Sequence, residues 1–159
     1  MKPGITILTT VYNGLPYLSE CIESILNQTE ADFEFLIIDD ASTDRSLEII
    51  KSYKDPRIKV VENEENIGQV RSLNRGLKIA KGNLIARLDQ DDVCLPNRLE
   101  EQADYFEKYS DLSILCSWEI TIDSNGKKVR SWEGEIKNYG VFLGYIMLGL
   151  CPVWHPSVM

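Results

Sequence analysis

Asp89, Asp91 and Asp92 place three carboxylates within four positions, directly after the mostly apolar run Leu84 to Leu88. That run reads as a buried strand, so the acids stand at its carboxyl end, where open α/β sheets bind ligands. In an extended chain side chains alternate with period two, so Asp89 and Asp91 point to one side and can converge on one cation. Hard oxygen donors favour Mg2+ or Mn2+, ions that complete their shells with water and a substrate's phosphates. The chemistry implied is a site for a divalent metal and a diphosphate. Two plainer readings stand beside it. Pro96 falls in the first turn of a following helix, and Asp is common at helix starts, where it caps free N–H groups. A calcium loop would use Asp89, Asp91 and Glu100 as its first, third and twelfth residues, but Cys94 stands where that loop needs Gly.

Regular elements must hold those acids in place. Ile5 to Val11 is rich in β-branched residues and reads as a central first strand, ended by the turn Tyr12-Asn13-Gly14. Pro16 opens a helix with Leu18, Ile22, Ile25 and Leu26 on one face. Phe33 to Ile38 is a second strand that also ends in acids, Asp39 and Asp40, before the cap-rich turn Ala41-Ser42-Thr43-Asp44 and a helix marked by Leu47, Ile50 and Tyr53. Ile58 to Val61 is a short third strand. Val70, Leu73, Leu77 and Ala80 then mark a third helix ending near Gly82, and Leu99, Ala103 and Phe106 mark a fourth after the acidic cluster. Such alternation predicts a three-layer α/β/α fold with a mostly parallel central sheet. From Leu112 the pattern changes. Ile114 to Ile122 alternates as a strand, Asn125-Gly126 is a hairpin turn, and Lys128 to Trp132 returns antiparallel.

Composition narrows the partners. At 159 residues the chain is one domain, with 43% apolar and 26% charged residues, ordinary for a soluble globular protein. A net charge of -8 argues against a nucleic-acid partner. It also means that a diphosphate needs a divalent ion to screen its approach, so metal and ligand should bind together. Cys21, Cys94, Cys116 and Cys151 are widely spaced and read as reduced core cysteines, which points to the cytoplasm. The run Val141 to Val153 is too short to span a bilayer; a buried helix accounts for it, with peripheral attachment at the inner membrane face as the alternative. Val153 to Met159 reads as the start of another strand with no closing turn, so a longer protein is expected.

Thr10-Val11-Tyr12-Asn13, Ile37-Ile38-Asp39-Asp40-Ala41-Ser42-Thr43-Asp44, Asn66-Ile67-Gly68, and Asp89-Gln90-Asp91-Asp92 followed by Pro96, Arg98 and Leu99 together resemble the inverting glycosyltransferases of family 2. The resemblance runs over essentially the whole chain. It implies the GT-A fold, with residues 1–110 as the nucleotide-sugar-binding half and 111–159 as the start of the acceptor side. It implies a nucleotide-diphosphate sugar donor, a UDP-sugar first among them, Mn2+ or Mg2+, and a saccharide or lipid-linked acceptor of the kind used in polysaccharide, capsule or lipopolysaccharide assembly. By the same resemblance Thr10 and Tyr12 line the base pocket beside Asn13. Asp40 takes the nucleobase imide, Asp91 is the principal metal ligand, Asp89 lies near the ribose or shares the metal, and Asp92 faces the sugar or caps the helix.

The chain also departs from the family pattern. Leu73 replaces a frequent arginine, and Arg71 is the candidate that could reach the diphosphate instead. Inverting transfer needs a base for the acceptor proton. In the family that carboxylate comes later than Met159, so the base is expected beyond this sequence. Glu119 and Asp123 read as hairpin surface residues, and His155 is an acceptor-edge candidate with simple packing as its alternative. A non-catalytic module that senses a nucleotide-sugar would keep the same pocket. A dinucleotide oxidoreductase is excluded by the single Gly in the turn after the first strand, and a receiver domain by the lack of acids at that strand's end.

Overall fold

The computed structural model describes residues 4–132 and 158–159. Ile5–Val11 (β1) and Phe33–Asp39 (β2) are buried at every position, as strands covered on both faces must be. Ile58–Glu62 (β3) and Leu84–Arg87 (β4) flank them in the order β3-β2-β1-β4, and all four are parallel. Leu18–Leu26 (α1), Ser46–Ser52 (α2), Gln69–Ile79 (α3) and Arg98–Lys108 (α4) make the connections. This is the three-layer arrangement expected from the alternation.

The side-chain period assigns each strand residue to a layer. Ile5, Ile7, Val11, Phe35 and Ile37 pack with Leu18, Ile22, Ile50 and Leu99 beneath α1, α2 and α4. Leu8, Leu36 and Ile38 face the other way, against Leu73 of α3 and Ala80 just after it. Each fully buried large apolar side chain contributes about 1.5–3 kcal/mol, so the thicker layer under three helices carries most of the core's stability.

On α3 the expected stripe is rotated. Val70 and Leu77 are exposed, and the buried face is Ser72 and Gly76. The reason is proximity: a Cβ on Gly76 would lie 2.3 Å from Leu8 Cδ1, so the helix meets the sheet through its small residues and Leu73 while Val70 and Leu77 turn outward. Pro96 precedes α4 rather than lying in its first turn, since the helix begins at Arg98.

Beyond the parallel sheet, Glu119–Ile122 (β5) and Lys128–Trp132 (β6) form an antiparallel hairpin, with Gly126 at φ 76 in its turn. Asp123 caps that turn, its carboxylate accepting from the N–H groups of Asn125 (2.9 Å) and Lys127 (3.0 Å). The expected strand from Ile114 is shorter, starting at Glu119, but Cys116 bridges Val158 antiparallel. Val158 in turn accepts from Arg87 N–H (2.9 Å), so it lies along β4, and Met159 enters the core. Cys21 and Cys94 are buried thiols, whereas Cys116 is exposed, which corrects its reading as a core residue. Among the described residues no helix is long and apolar enough to cross a membrane. Cys151, His155 and the run 141–153 lie outside the described residues.

Candidate functional site

The carboxyl ends of β2, β1 and β4 lie side by side, with Asp39 in register with Val11 and Arg87 with Leu8. After Arg87 the chain does not stay extended. Asp92 N–H donates to Asp89 O (3.2 Å), closing a turn over Gln90 and Asp91. The period-two argument for Asp89 and Asp91 therefore fails: their relation is set by a turn.

The three acids consequently sit in different surroundings. Asp89 accepts from Arg87 Nη2 (2.6 Å) and Gln69 Nε2 (3.3 Å), so a cation and an amide already serve it. Asp91 is exposed at the tip. Asp92 is half-buried, and its carboxyl is pushed up to about 6 by desolvation first, then by the charges of Asp91, Asp89 and Glu119, with Arg98 opposing. Glu119 of the hairpin is half-buried, and its charge adds to that of the acidic turn.

The segment behind the turn is stitched to α1. Cys21 Sγ donates to Asp89 O (3.4 Å), Cys94 N–H to Ser24 Oγ (3.1 Å), and Gln28 Nε2 to Leu95 O (2.7 Å). Buried Arg98 donates to Arg87 O (2.9 Å) and to Cys94 Sγ (3.0 Å), fixing the strand end from below. Burial, followed by the charges of Cys94 and the neighbouring aspartates, raises the Cys21 thiol far above its ordinary range, so it stays protonated and acts as a packed donor.

On the β2 side the two acids point to opposite layers. Asp40 is 2% exposed, and its Oδ1 accepts from Asn63 Nδ2 (2.6 Å), Ser72 Oγ (2.9 Å) and Ile67 N–H (3.0 Å), while Oδ2 accepts from Gly68 N–H (2.9 Å). Burial alone would raise its pKa, but the hydrogen bonds from Ile67, Asn63, Ser72 and Gly68 outweigh it and hold the carboxyl below the usual range. Asp40 ties β2 to the start of α3. Asp39 faces the other layer, where Oδ2 accepts from Ser42 N–H (3.2 Å) and buried Oδ1 has no hydrogen-bond partner. A buried carboxylate oxygen without a donor is costly unless something fills the place, which marks Asp39 as a residue that sequence reasoning passed over.

Thr10 is buried at the end of β1, and Tyr12 beyond it is 45% exposed, its ring available for stacking. Asn13 stands at φ 52 and is occupied with its own surroundings: Oδ1 accepts from the N–H groups of Thr43 (2.8 Å) and Asp44 (3.2 Å). It anchors the loop between β2 and α2. Arg71 is exposed on α3, whereas Arg75 donates to Glu62 O (2.9 Å) and to Asn63 Oδ1, bracing the residue that serves Asp40. A groove lined by Glu62, Asn63, Glu64, Glu65, Ile67 and Arg75 opens beside that network.

Could this donor set take a divalent ion? Among the described residues no group of three or more His, Cys, Asp or Glu side chains is arranged to hold one. The hard carboxylates of Asp91 and Asp92, the second raised by burial first and then by the charges beside it, fit the sparser demand of an ion bound through one or two carboxylates and a ligand's phosphates.

The family model described as Glycosyl transferase family 2 matches residues 6–152. An uncharacterized glycosyltransferase of Methanocaldococcus jannaschii is 41% identical over 162 residues, covering 99% of this chain and 56% of the relative. The glycosyltransferase GlyG of Streptococcus pneumoniae is 38% identical over 102 residues, covering 63% of this chain and 34% of that protein. Among solved structures, S. aureus TarS 1-349 in complex with UDP-GlcNAc superposes with a TM-score of 0.68 at 27% identity, over 79% of this chain and 36% of that one. The chain spans about half the length of the first two curated relatives, 56% and 46%. The α/β architecture with its parallel sheet and small hairpin is that of the GT-A neighbours. Since the family match runs from the second residue of β1 through the hairpin to Pro152, the chain as a whole, not one motif of it, belongs to glycosyltransferase family 2.

Proposed function

We propose that this chain supplies the donor-binding half of an inverting glycosyltransferase that takes a nucleotide-diphosphate sugar, a UDP-sugar, in the presence of Mn2+ or Mg2+. The observation that carries the reading is the acidic turn: it is fastened from behind by α1 and Arg98 and joined to Tyr12 through Gln90, yet leaves Asp91 exposed. A rigid anionic tip at the carboxyl ends of parallel strands is suited to a cation that brings a diphosphate with it. TarS, solved with UDP-GlcNAc, lends the nucleotide-sugar by likeness.

Asp91, with Asp92, would hold the metal, whose bound chemistry is to neutralise the diphosphate and stabilise charge on the departing nucleotide. Tyr12 would stack on the base and Thr10 would close the pocket floor. Asp40 has four internal hydrogen bonds, so the imide N–H of a uracil is better matched to the buried, unpartnered Oδ1 of Asp39, with Asp40 shaping the pocket from the next layer. Asp89, paired with Arg87, would sit nearest the ribose. The acceptor hydroxyl, on a saccharide or lipid-linked glycan of an envelope polysaccharide, would be presented from the 111–159 side.

Calorimetric titration of UDP, with Mn2+ and with chelator, into the wild-type chain and Asp91→Asn tests the reading. Binding that requires the metal and weakens about 30-fold or more in Asp91→Asn is the expected result, the scale of a lost metal-site contact. No binding of UDP, GDP or dTDP under either condition would overturn it.

A further inference from the structure

We infer that Gln90 is a positioning residue that sets the distance between the base-binding and diphosphate-binding parts of the site. Its backbone belongs to the acidic turn, between Asp89 and Asp91, while its side chain leaves the turn and reaches β1. There Oε1 accepts from Tyr12 N–H (2.9 Å) and Nε2 donates to Tyr12 O (3.4 Å). Both backbone groups of Tyr12 are engaged by one primary amide, as a neighbouring strand residue would engage them.

The geometry explains why an amide is needed there. The ladder between β1 and β4 stops early, with Leu8 opposite Arg87 and a last bond from Leu88 N–H to Leu8 O (3.2 Å). β1 continues to Val11, and the chain to Tyr12, without β4 beside it, because the chain after β4 has already bent into the acidic turn. Gln90 spans the gap thus opened. Only a residue with a donor and an acceptor on one rigid plane can serve both an N–H and a C=O; Asp or Glu in ionised form would set a carboxylate against the Tyr12 carbonyl.

Gly14 makes room for the arrangement. A Cβ on Gly14 would lie 3.1 Å from Gln90 Oε1 and 3.4 Å from its Cδ, inside comfortable contact for the amide. Gly14 N–H meanwhile donates to buried Ser46 Oγ (2.8 Å), so the β1 turn cannot simply move aside. The pair Gly14 and Gln90 therefore fits as lock and bolt across segments far apart in sequence.

A nucleoside diphosphate must touch Tyr12 with its base and Asp91's metal with its phosphates. Holding those two points at a fixed separation lowers the ordering cost of binding the whole ligand, and does nothing for either fragment alone. Gln90 acts this way only if the ligand is the nucleotide-diphosphate donor proposed for the site, and the test separates the two statements.

NMR titrations of uridine, and of UDP with Mg2+, into wild type, Gln90→Met and Gly14→Ala read both fragments. Gln90→Met keeps the side-chain volume and removes both hydrogen bonds, and faster amide exchange at Tyr12 reports that the clamp is open. Expected is a loss of about 10-fold for UDP with Mg2+ and a change within about twofold for uridine in Gln90→Met, the size of one or two neutral hydrogen bonds. Gly14→Ala, which crowds the amide without touching the acidic turn, gives a smaller loss of the same pattern and stands in if Gln90→Met does not fold. Equal losses for uridine and UDP, or unchanged UDP affinity with the Tyr12 amide exposed, would overturn the role of Gln90 while leaving the donor reading intact. Failure of the wild type to bind UDP would remove the donor reading, and the role of Gln90 with it.

Discussion

At the end of β2, Asp40 is 2% exposed, accepts four hydrogen bonds and is held below the ordinary carboxylate range, whereas at the end of β4 Asp91 is exposed and Asp92 is pushed up to about 6. One strand, β1, separates the two ends, and both belong to acid-rich motifs of the same family resemblance. The difference lies in where the donors come from. Asp40 finds its donors inside the fold, at the start of α3, and so its charge organises the protein. Of the β4 acids Asp89 pairs with Arg87 and Asp92 feels the charge of Arg98, while Asp91 is exposed, so its charge is left for something that arrives.

The largest way to break this comparison is Asp40→Ala. It removes the acceptor shared by the Asn63 amide, the Ser72 hydroxyl and two backbone N–H groups near the core, and should cost about 3–5 kcal/mol of unfolding free energy in urea denaturation. Asp91→Ala should change stability by no more than about 0.5 kcal/mol, since nothing inside the protein depends on it. Equal losses at the two positions would abolish the distinction.

A smaller effect sharpens it. Arg87 and Asp89 pair at 2.6 Å with side chains 13% and 21% exposed, so Arg87→Gln leaves a partly buried carboxylate without its cation. Stability should fall by about 1–3 kcal/mol. Metal affinity should move the other way, rising severalfold in a Mn2+ titration, because Asp89 then joins Asp91 and Asp92. A fall in metal affinity would mean that Arg87 holds the turn in shape rather than neutralising it.

Much of the scaffold was legible because local signals agreed. The β-branched run of β1, the apolar face of α1 and the Asn125-Gly126 turn each specify their element without help from distant residues. What could not be read depended on partners far along the chain. The amphipathic pattern of Val70 and Leu77 pointed to the wrong face of α3, because contact there is decided by how closely Gly76 approaches Leu8. Asn13 looked like a ligand residue, but its amide is committed to Thr43 and Asp44. Composition marked the acids at both strand ends; only the turn at Gln90 and Asp91 and the donors around Asp40 reveal which acids are internal and which are open. Asp39 escaped attention for the same reason, since a single unpartnered oxygen has no sequence signature.

Acid titration gives the mildest version of the same comparison, because protonating Asp40 keeps its shape while removing its charge. Unfolded, Asp40 titrates near the ordinary value of 3.8; folded, its pKa is lower, because donors from Ile67, Asn63, Ser72 and Gly68 outweigh the opposing effect of burial. The folded state therefore binds its proton less readily than the unfolded state. Stability from this group is fully present above the unfolded value and is lost as pH falls through the folded one. Asp40→Asn has no such charge to lose. The difference in unfolding free energy between wild type and Asp40→Asn should thus be flat from neutral pH down to about 5 and shrink below about 4, where the unfolded carboxylate begins to take up its proton. Measuring that difference in urea at a series of pH values removes the contributions of every other acid, including those of the β4 turn. A difference that grew on acidification would mean that Asp40 is strained as an anion, and the two strand ends would then be alike.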